Sequence, residues 1–170
     1  MLSRRKILCG LGAALLLAGC NTTTQLVESS AASTYRVASV NVSSSLTRKN
    51  TAVPIEQIIS TLKTKSQSAL VGASRNGDVP VVVNVDIDSL YIANPGAGAL
   101  LGSTASSVAG AVTIVDAVSG EPLGDQFRVL GVTEARPTVF GAAAIKPPQQ
   151  ELAIISDDFA KRLKIAIFGE

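Results

Sequence analysis

From Val79 to Ile92 the chain alternates with period two. Val81, Val83, Val85 and Ile87 point one way, and Val82, Asn84, Asp86 and Asp88 point the other. Successive strand side chains face opposite sides of a sheet, so this run predicts a strand with one buried and one wetted face. An apolar sheet face needs a cover, and the remaining chain must supply it.

Two segments have the right periodicity. Pro54 opens the first, where its fixed backbone suits a helix start, and Glu56 sits in the favourable first turn. Ile55, Ile58, Ile59, Leu62, Ala69 and Leu70 then recur on one helical face, and Gly72 is the expected stop. The second helix is expected from Gln149 to Phe168, with Leu152, Ile155, Phe159, Leu163 and Ile167 as its stripe. Lys161, Arg162 and Lys164 in its second half suit the helix dipole, and Asp157 and Asp158 read as helix-start charges.

Further strands are expected after Thr34, with Ala38, Val40 and Val42 facing the core, over 107–118 with Val108, Val112 and Ile114 inward, and from Gln126 to Val132. Asp116 to Gly124, containing Ser119-Gly120 and Pro122, reads as a hairpin turn. Residues 43–52, 92–107 and 133–148 read as loops, the second rich in Gly and Ala and without charge. Aromatic residues make up only 4% of the chain, so the core must be Val, Ile, Leu and Ala. The expected fold is α+β: a two-layer sandwich of a mainly antiparallel four-stranded sheet with two amphipathic helices on one face, in the order β-α-β-β-β-α.

The first twenty residues follow a different logic. Arg4, Arg5 and Lys6 precede an apolar run from Ile7 to Ala18, too short to span a bilayer as a helix. Leu17-Ala18-Gly19-Cys20 follows at once and resembles the lipobox of bacterial lipoproteins. The resemblance implies cleavage between Gly19 and Cys20, diacylglycerol on the Cys20 thiol and an N-acyl lipid on the new amino end. Two or more acyl chains make such an anchor stable. Asn21 stands where an Asp implies retention in the inner membrane, so the resemblance implies outer-membrane placement. Ser3-Arg4-Arg5-Lys6-Ile7-Leu8 also resembles a twin-arginine export signal with Ile for the usual aromatic. The expected organisation is a signal peptide over 1–19, a lipidated flexible tether over 20–33 and one periplasmic domain over 34–170.

Processing changes the charge. The chain has 15 basic and 13 acidic residues, but loss of Arg4, Arg5 and Lys6 leaves 12 basic ones and a charge near −1. No basic cluster remains for phosphates, which argues against a nucleic-acid partner. Cys20 is then the one cysteine left, so no internal disulfide forms. The chain has no histidine, which excludes a Ser-His-Asp triad, a Cys-His pair and histidine metal sites.

Other constellations are thin. Asp86 and Asp88 share a strand face and could in principle hold a cation or act as acid and base, but no further ligands accompany them, and a solvated face accounts for the pair. Gly96, Gly98 and Gly102 follow a strand without the spacing of a nucleotide loop. Ser74, in Gly72-Ala73-Ser74-Arg75-Asn76-Gly77, misses a nucleophile elbow by one residue. No catalytic residue, metal or cofactor is expected beyond the covalent lipid. The uncharged stretch 92–115 is a candidate for insertion into a membrane or a partner.

The layout of lipobox, tether and helix-backed sheet also resembles small envelope lipoproteins whose domain is similar to the amino-terminal domain of TolB, with PelC and CsgG as relatives. That resemblance rests on element order and implies a non-enzymatic subunit or accessory of an envelope assembly or export system, with envelope proteins or copies of itself as partners. The alternative is a periplasmic ligand-binding module using the polar face at Asn84, Asp86 and Asp88.

Overall fold

The computed structural model describes residues 24–73, 77–96, 104–134 and 143–170. The elements are α1 (Ser29–Ala32), β1 (Tyr35–Ser44), α2 (Ile55–Ala73), β2 (Val79–Tyr91), β3 (Ser107–Asp116), β4 (Phe127–Val132) and α3 (Pro148–Phe168). The four strands lie in the order β1-β2-β3-β4. β1 runs parallel to β2, and the other two pairings are antiparallel. The expected α+β architecture therefore holds, with the short α1 added before it.

The direction of each pairing follows from its connection. α2 lies between β1 and β2 and carries the chain back to the end where β1 began, so β2 repeats the direction of β1. β3 and β4 are joined by the short 117–126 turn and run antiparallel, as do β2 and β3. α2 packs on β1 and α3, and α3 packs on β4 and β3.

The core forms between these layers. Val81, Val83, Val85 and Ile87 of β2 are each 1% exposed or less. They meet Ile58, Leu62 and Leu70 from α2 and the whole expected stripe of α3, from Leu152 to Ile167. Ser66 occupies the α2 stripe between Leu62 and Leu70 and is fully buried.

Two bulges keep the strands in phase with this core. In β1 the register shifts between Val37 and Ser39, which makes Ala38 the extra residue. The expectation that Ala38 faces the core is therefore corrected: Tyr35 and Val37 are buried, Ala38 is exposed and Val40 is buried again. In β2 the register shifts between Ile87 and Ser89, with Asp88 as the extra residue. Ile87 and Leu90 both face inward as a result. In each case two small or polar residues separate apolar ones spaced by three, and one bulge residue returns the second apolar side chain to the core.

The helix boundaries shift slightly. α2 starts at Ile55, with the Pro54 carbonyl accepting from the Ile58 N–H. It continues through Gly72 to Ala73, so Gly72 is not its stop. A glycine there has nothing within 4 Å of its open side, and the helix simply runs on. Ser74, Gly98 and Gly102 lie outside the described residues.

The strand directions give the domain two distinct ends. The starts of β1, β2 and β4 and the finish of β3 share one end with the C-terminal turns of α2 and α3. The 45–54 segment, the flanks of the 97–103 loop and the start of α3 gather at the other.

Gly131 shows how closely α3 seats on β4. A β-carbon there would stand 2.7 Å from both Ile155 O and Phe159 Cβ. Gly131→Ala is expected to cost about 1–3 kcal/mol in urea denaturation through overpacking. Gly72→Ala, in open space on a helix, is expected to stabilise by about 0.5–1 kcal/mol.

Candidate functional site

The sheet face away from the helices carries the residues singled out above. Asn84, Asp86 and Asp88 do share it, and each has a partner there. Asn41 Nδ2 donates to Asn84 Oδ1 at 3.1 Å, and Ser43 Oγ donates to Asp86 Oδ1 at 3.2 Å. Arg128 of β4 forms a forked ion pair with Asp88, with Nη2 2.6 Å from Oδ1 and Nη1 against Oδ2.

That ion pair spans β3, and the register explains how. Asp86 pairs with Ala111, which pairs with Arg128, and Ser89 pairs with Ala109, which pairs with Leu130. Small side chains on β3 leave room for the guanidinium to reach over. The partners Asn41, Ser43 and Arg128 escape sequence reading because they depend on strand order. The carboxylates are already engaged, so a ligand on this face must displace protein partners. Among the described residues, no group of three His, Cys, Asp or Glu side chains is placed to hold a metal ion.

A second polar cluster lies at the loop end, fully buried. Glu151 stands in the first turn of α3. Its Oε2 accepts from Ser106 Oγ at 2.8 Å, and its Oε1 accepts from the Lys146 N–H at 3.0 Å. Ser106 Oγ also accepts from the Ala93 N–H at 3.0 Å. The Ser106 N–H donates to Thr133 Oγ1 at 2.8 Å, and the Thr133 N–H returns to Ser106 O at 2.9 Å. Ser106 thus ties the finish of β2 to the start of β3 and the finish of β4, and the Glu151 carboxylate joins that knot to the start of α3. The sequence signal for it is weak, since an acidic residue in a first helical turn ordinarily serves the dipole.

Asp157 and Asp158 are not helix-start charges. They lie well inside α3. Asp157 pairs with Lys65 of α2 at 2.9 Å. Asp158 Oδ2 accepts from Arg162 Nε at 2.7 Å and from the Val132 N–H at 2.8 Å. Across the sheet, Gln67 Oε1 accepts from the Val40 N–H at 2.6 Å. Each helix therefore occupies a backbone donor on the edge strand beside it, which blunts both sheet edges against pairing with another chain.

The end that holds the last turn of α3 is completed by the entering chain. Leu26 and Val27 N–H groups both donate to Ala166 O, at 2.7 and 3.2 Å, and Gln25 Nε2 donates to Ile167 O at 3.1 Å. The segment from Gln25 to Ser33, expected as part of a flexible tether, is packed on the domain. Backbone donors that meet the last turn of α3, together with the half-buried Val27 and Ala31, hold it there. A groove of about 440 Å³ runs between Leu26, Val27 and Ala31 on one side and Tyr35, Leu123 and Phe127 on the other. In the nearby hairpin, Asp116 accepts from the Ser119 and Val118 N–H groups, both at 2.8 Å. Those bonds hold its carboxyl below the usual carboxylate range.

Gly19 and Cys20 lie outside the described residues. Among the described residues, no helix is long and apolar enough to cross a membrane. The described flanks of the 92–107 loop lie at the end opposite Gln25. There Asn50 clasps Ile92, donating from Nδ2 to its carbonyl at 2.8 Å and accepting its N–H at 2.9 Å.

No protein-family model and no curated protein matches the chain. Among solved structures it is similar to a minor lipoprotein from Acinetobacter baumannii, at 13% identity over 79% of this chain and 92% of that one, with a TM-score of 0.45. It is similar to PelC from Paraburkholderia phytofirmans, a dodecamer, at 11% identity over 86% and 96% of the two chains, with a TM-score of 0.37. A candidate lipoprotein from Caulobacter crescentus CB15 is 14% identical over 81% and 89%, with a TM-score of 0.37. At these values the likeness says nothing of activity or partners.

Removing Glu151 by Glu151→Ala leaves the buried Ser106 hydroxyl and Lys146 N–H without their acceptor, and is expected to destabilise by about 1–3 kcal/mol. Arg128→Ala breaks a solvent-facing pair and is expected to cost about 1 kcal/mol or less. Urea denaturation of both variants checks the order. Asp116 titrates lower in the folded chain than in the unfolded one. Its contribution to stability is present above the ordinary value of 3.8 and is lost as pH falls through the lowered folded value. Asp116→Asn is expected to flatten the acid limb of an unfolding-versus-pH curve below about pH 4.

Proposed function

We propose that this chain is a lipoprotein of the outer membrane, anchored through lipid on Cys20, and a non-enzymatic subunit or accessory of an envelope assembly or export system. The observation that carries the reading is the lipobox pattern Leu17-Ala18-Gly19-Cys20, standing immediately before a segment fixed to the domain from Gln25. Anchored there, the domain presents its loop end away from the lipid, toward partners in the periplasm. Those partners are other envelope proteins or further copies of this chain.

The non-enzymatic part of the reading is supported by the absence of histidine from the sequence and by the engagement of the Asp86 and Asp88 carboxylates with Ser43 and Arg128. The polar face serves the sheet's own cohesion and its solubility.

Cys20→Ser is expected to abolish incorporation of labelled palmitate and to move the protein from the membrane to the soluble fraction. Retention of label would sink the anchor. Gentle detergent extraction followed by sizing is expected to give a complex well above the mass of one chain, and a monomer with no co-purifying protein would overturn the assembly role.

A further inference from the structure

The anchor end of the domain has the surface chemistry of a face laid against lipid. Among the described residues there are five exposed large hydrophobic side chains: Leu26, Val71, Val118, Leu130 and Ile154. Three of them belong to the anchor end. Leu26, 52% exposed, edges the groove; Val118, 87% exposed, tips the β3–β4 hairpin; Val71, 44% exposed, sits in the last turns of α2. The groove between α1 and the hairpin opens at the same end. These side chains come from three separate segments, and only the strand directions bring them together.

The length of chain outside the structure limits what this end can meet. Gln25 is fixed to α3, and four residues lie between it and Cys20, which makes five Cα–Cα steps. Fully extended, they reach roughly 18 Å at most. β2 alone, at about 3.3 Å per residue, is roughly 43 Å long. A leash shorter than the sheet prevents the domain from inverting over its anchor. Lying on its side would press the polar Asp86–Arg128 face or the charged outer faces of α2 and α3 onto the bilayer. The upright pose, with the anchor end down, is the one that places apolar side chains where lipid is.

The charge at this end selects the kind of lipid surface. Glu28, Asp78, Glu121 and Asp125 lie there at the surface against Arg36, while Lys164 is offset by Glu170, so acidic groups predominate. Acidic side chains gain nothing from an anionic surface, which attracts basic ones. We propose that Leu26, Val71, Val118 and the groove between them form a membrane-facing surface that rests on zwitterionic lipid. This rests on the reading of Cys20 as the anchor.

The chain has no tryptophan, so single substitutions give clean fluorescent reporters. The lipidated full chain, carrying Val118→Trp or Leu26→Trp, is reconstituted into phosphatidylcholine and phosphatidylethanolamine vesicles containing nitroxide-labelled acyl chains. Thr47→Trp, at an exposed position of the 45–54 segment at the opposite end, serves as the reference. Flotation of the chain with vesicles, compared with Cys20→Ser, reports the anchor separately. The expected result is flotation that depends on Cys20, with Val118→Trp and Leu26→Trp quenched several-fold more than Thr47→Trp. Added phosphatidylglycerol is expected to reduce that quenching, and so is a Gly-Ser insertion between Asn21 and Thr22. Flotation with equal quenching at both ends, with stronger quenching of Thr47→Trp or with none at either end overturns the membrane-facing surface and leaves the anchor standing. Failure to float overturns both.

Discussion

β2 buries Val81, Val83, Val85 and Ile87 almost completely and leaves Asn84 and Asp86 on the other side. That one-sided burial is the constraint on which the rest depends. An apolar face of this length attracts two helices, and the helices then fix which residues of β1, β3 and β4 point inward. The bulges at Ala38 and Asp88 follow from it, because a one-residue slip would turn valines outward and polar residues into the core. The polar face owes its order to the same demand. Arg128 reaches Asp88 because the strands lie in fixed register across the small residues of β3.

The placement of α2 divides the molecule. As a crossover it makes β1 and β2 parallel, and every later element then starts or stops at one of two ends. One end receives the incoming chain on the last turn of α3. The other is organised by buried Ser106 and Glu151, which together join the ends of three strands and one helix. The two ends of the domain thus differ in what organises them, and topology alone sets them apart.

Much of this architecture is legible in the sequence, because it rests on periodicity. The α3 stripe and the inward side of β2 follow from spacing alone. The phase error in β1 has a physical source: Ala38 suits either face, and only pairing with β2 shows that it is the extra residue. Glu151, Asp158 and Gln67 are illegible for a related reason. Each is an ordinary helical polar residue until the strand it serves is beside it. For the polar face, the residue types at Asn84, Asp86 and Asp88 are readable, but their engagement is not, since Asn41, Ser43 and Arg128 lie on other strands. The packing of Gln25 to Ser33 is hidden in the same way, because its composition is that of a linker and its partner is the far end of the chain.

That last contact joins segments 142 residues apart. Leu26 and Val27 donate to Ala166, and Gln25 reaches Ile167, across nearly the whole chain. A chain made amino end first therefore presents this segment long before the residues that secure it. Until the final turn of α3 has formed and docked, Gln25, Leu26 and Val27 lack the carbonyls that seat them. The seating of that segment is therefore a late step, and it reports that the last helix is folded and in place.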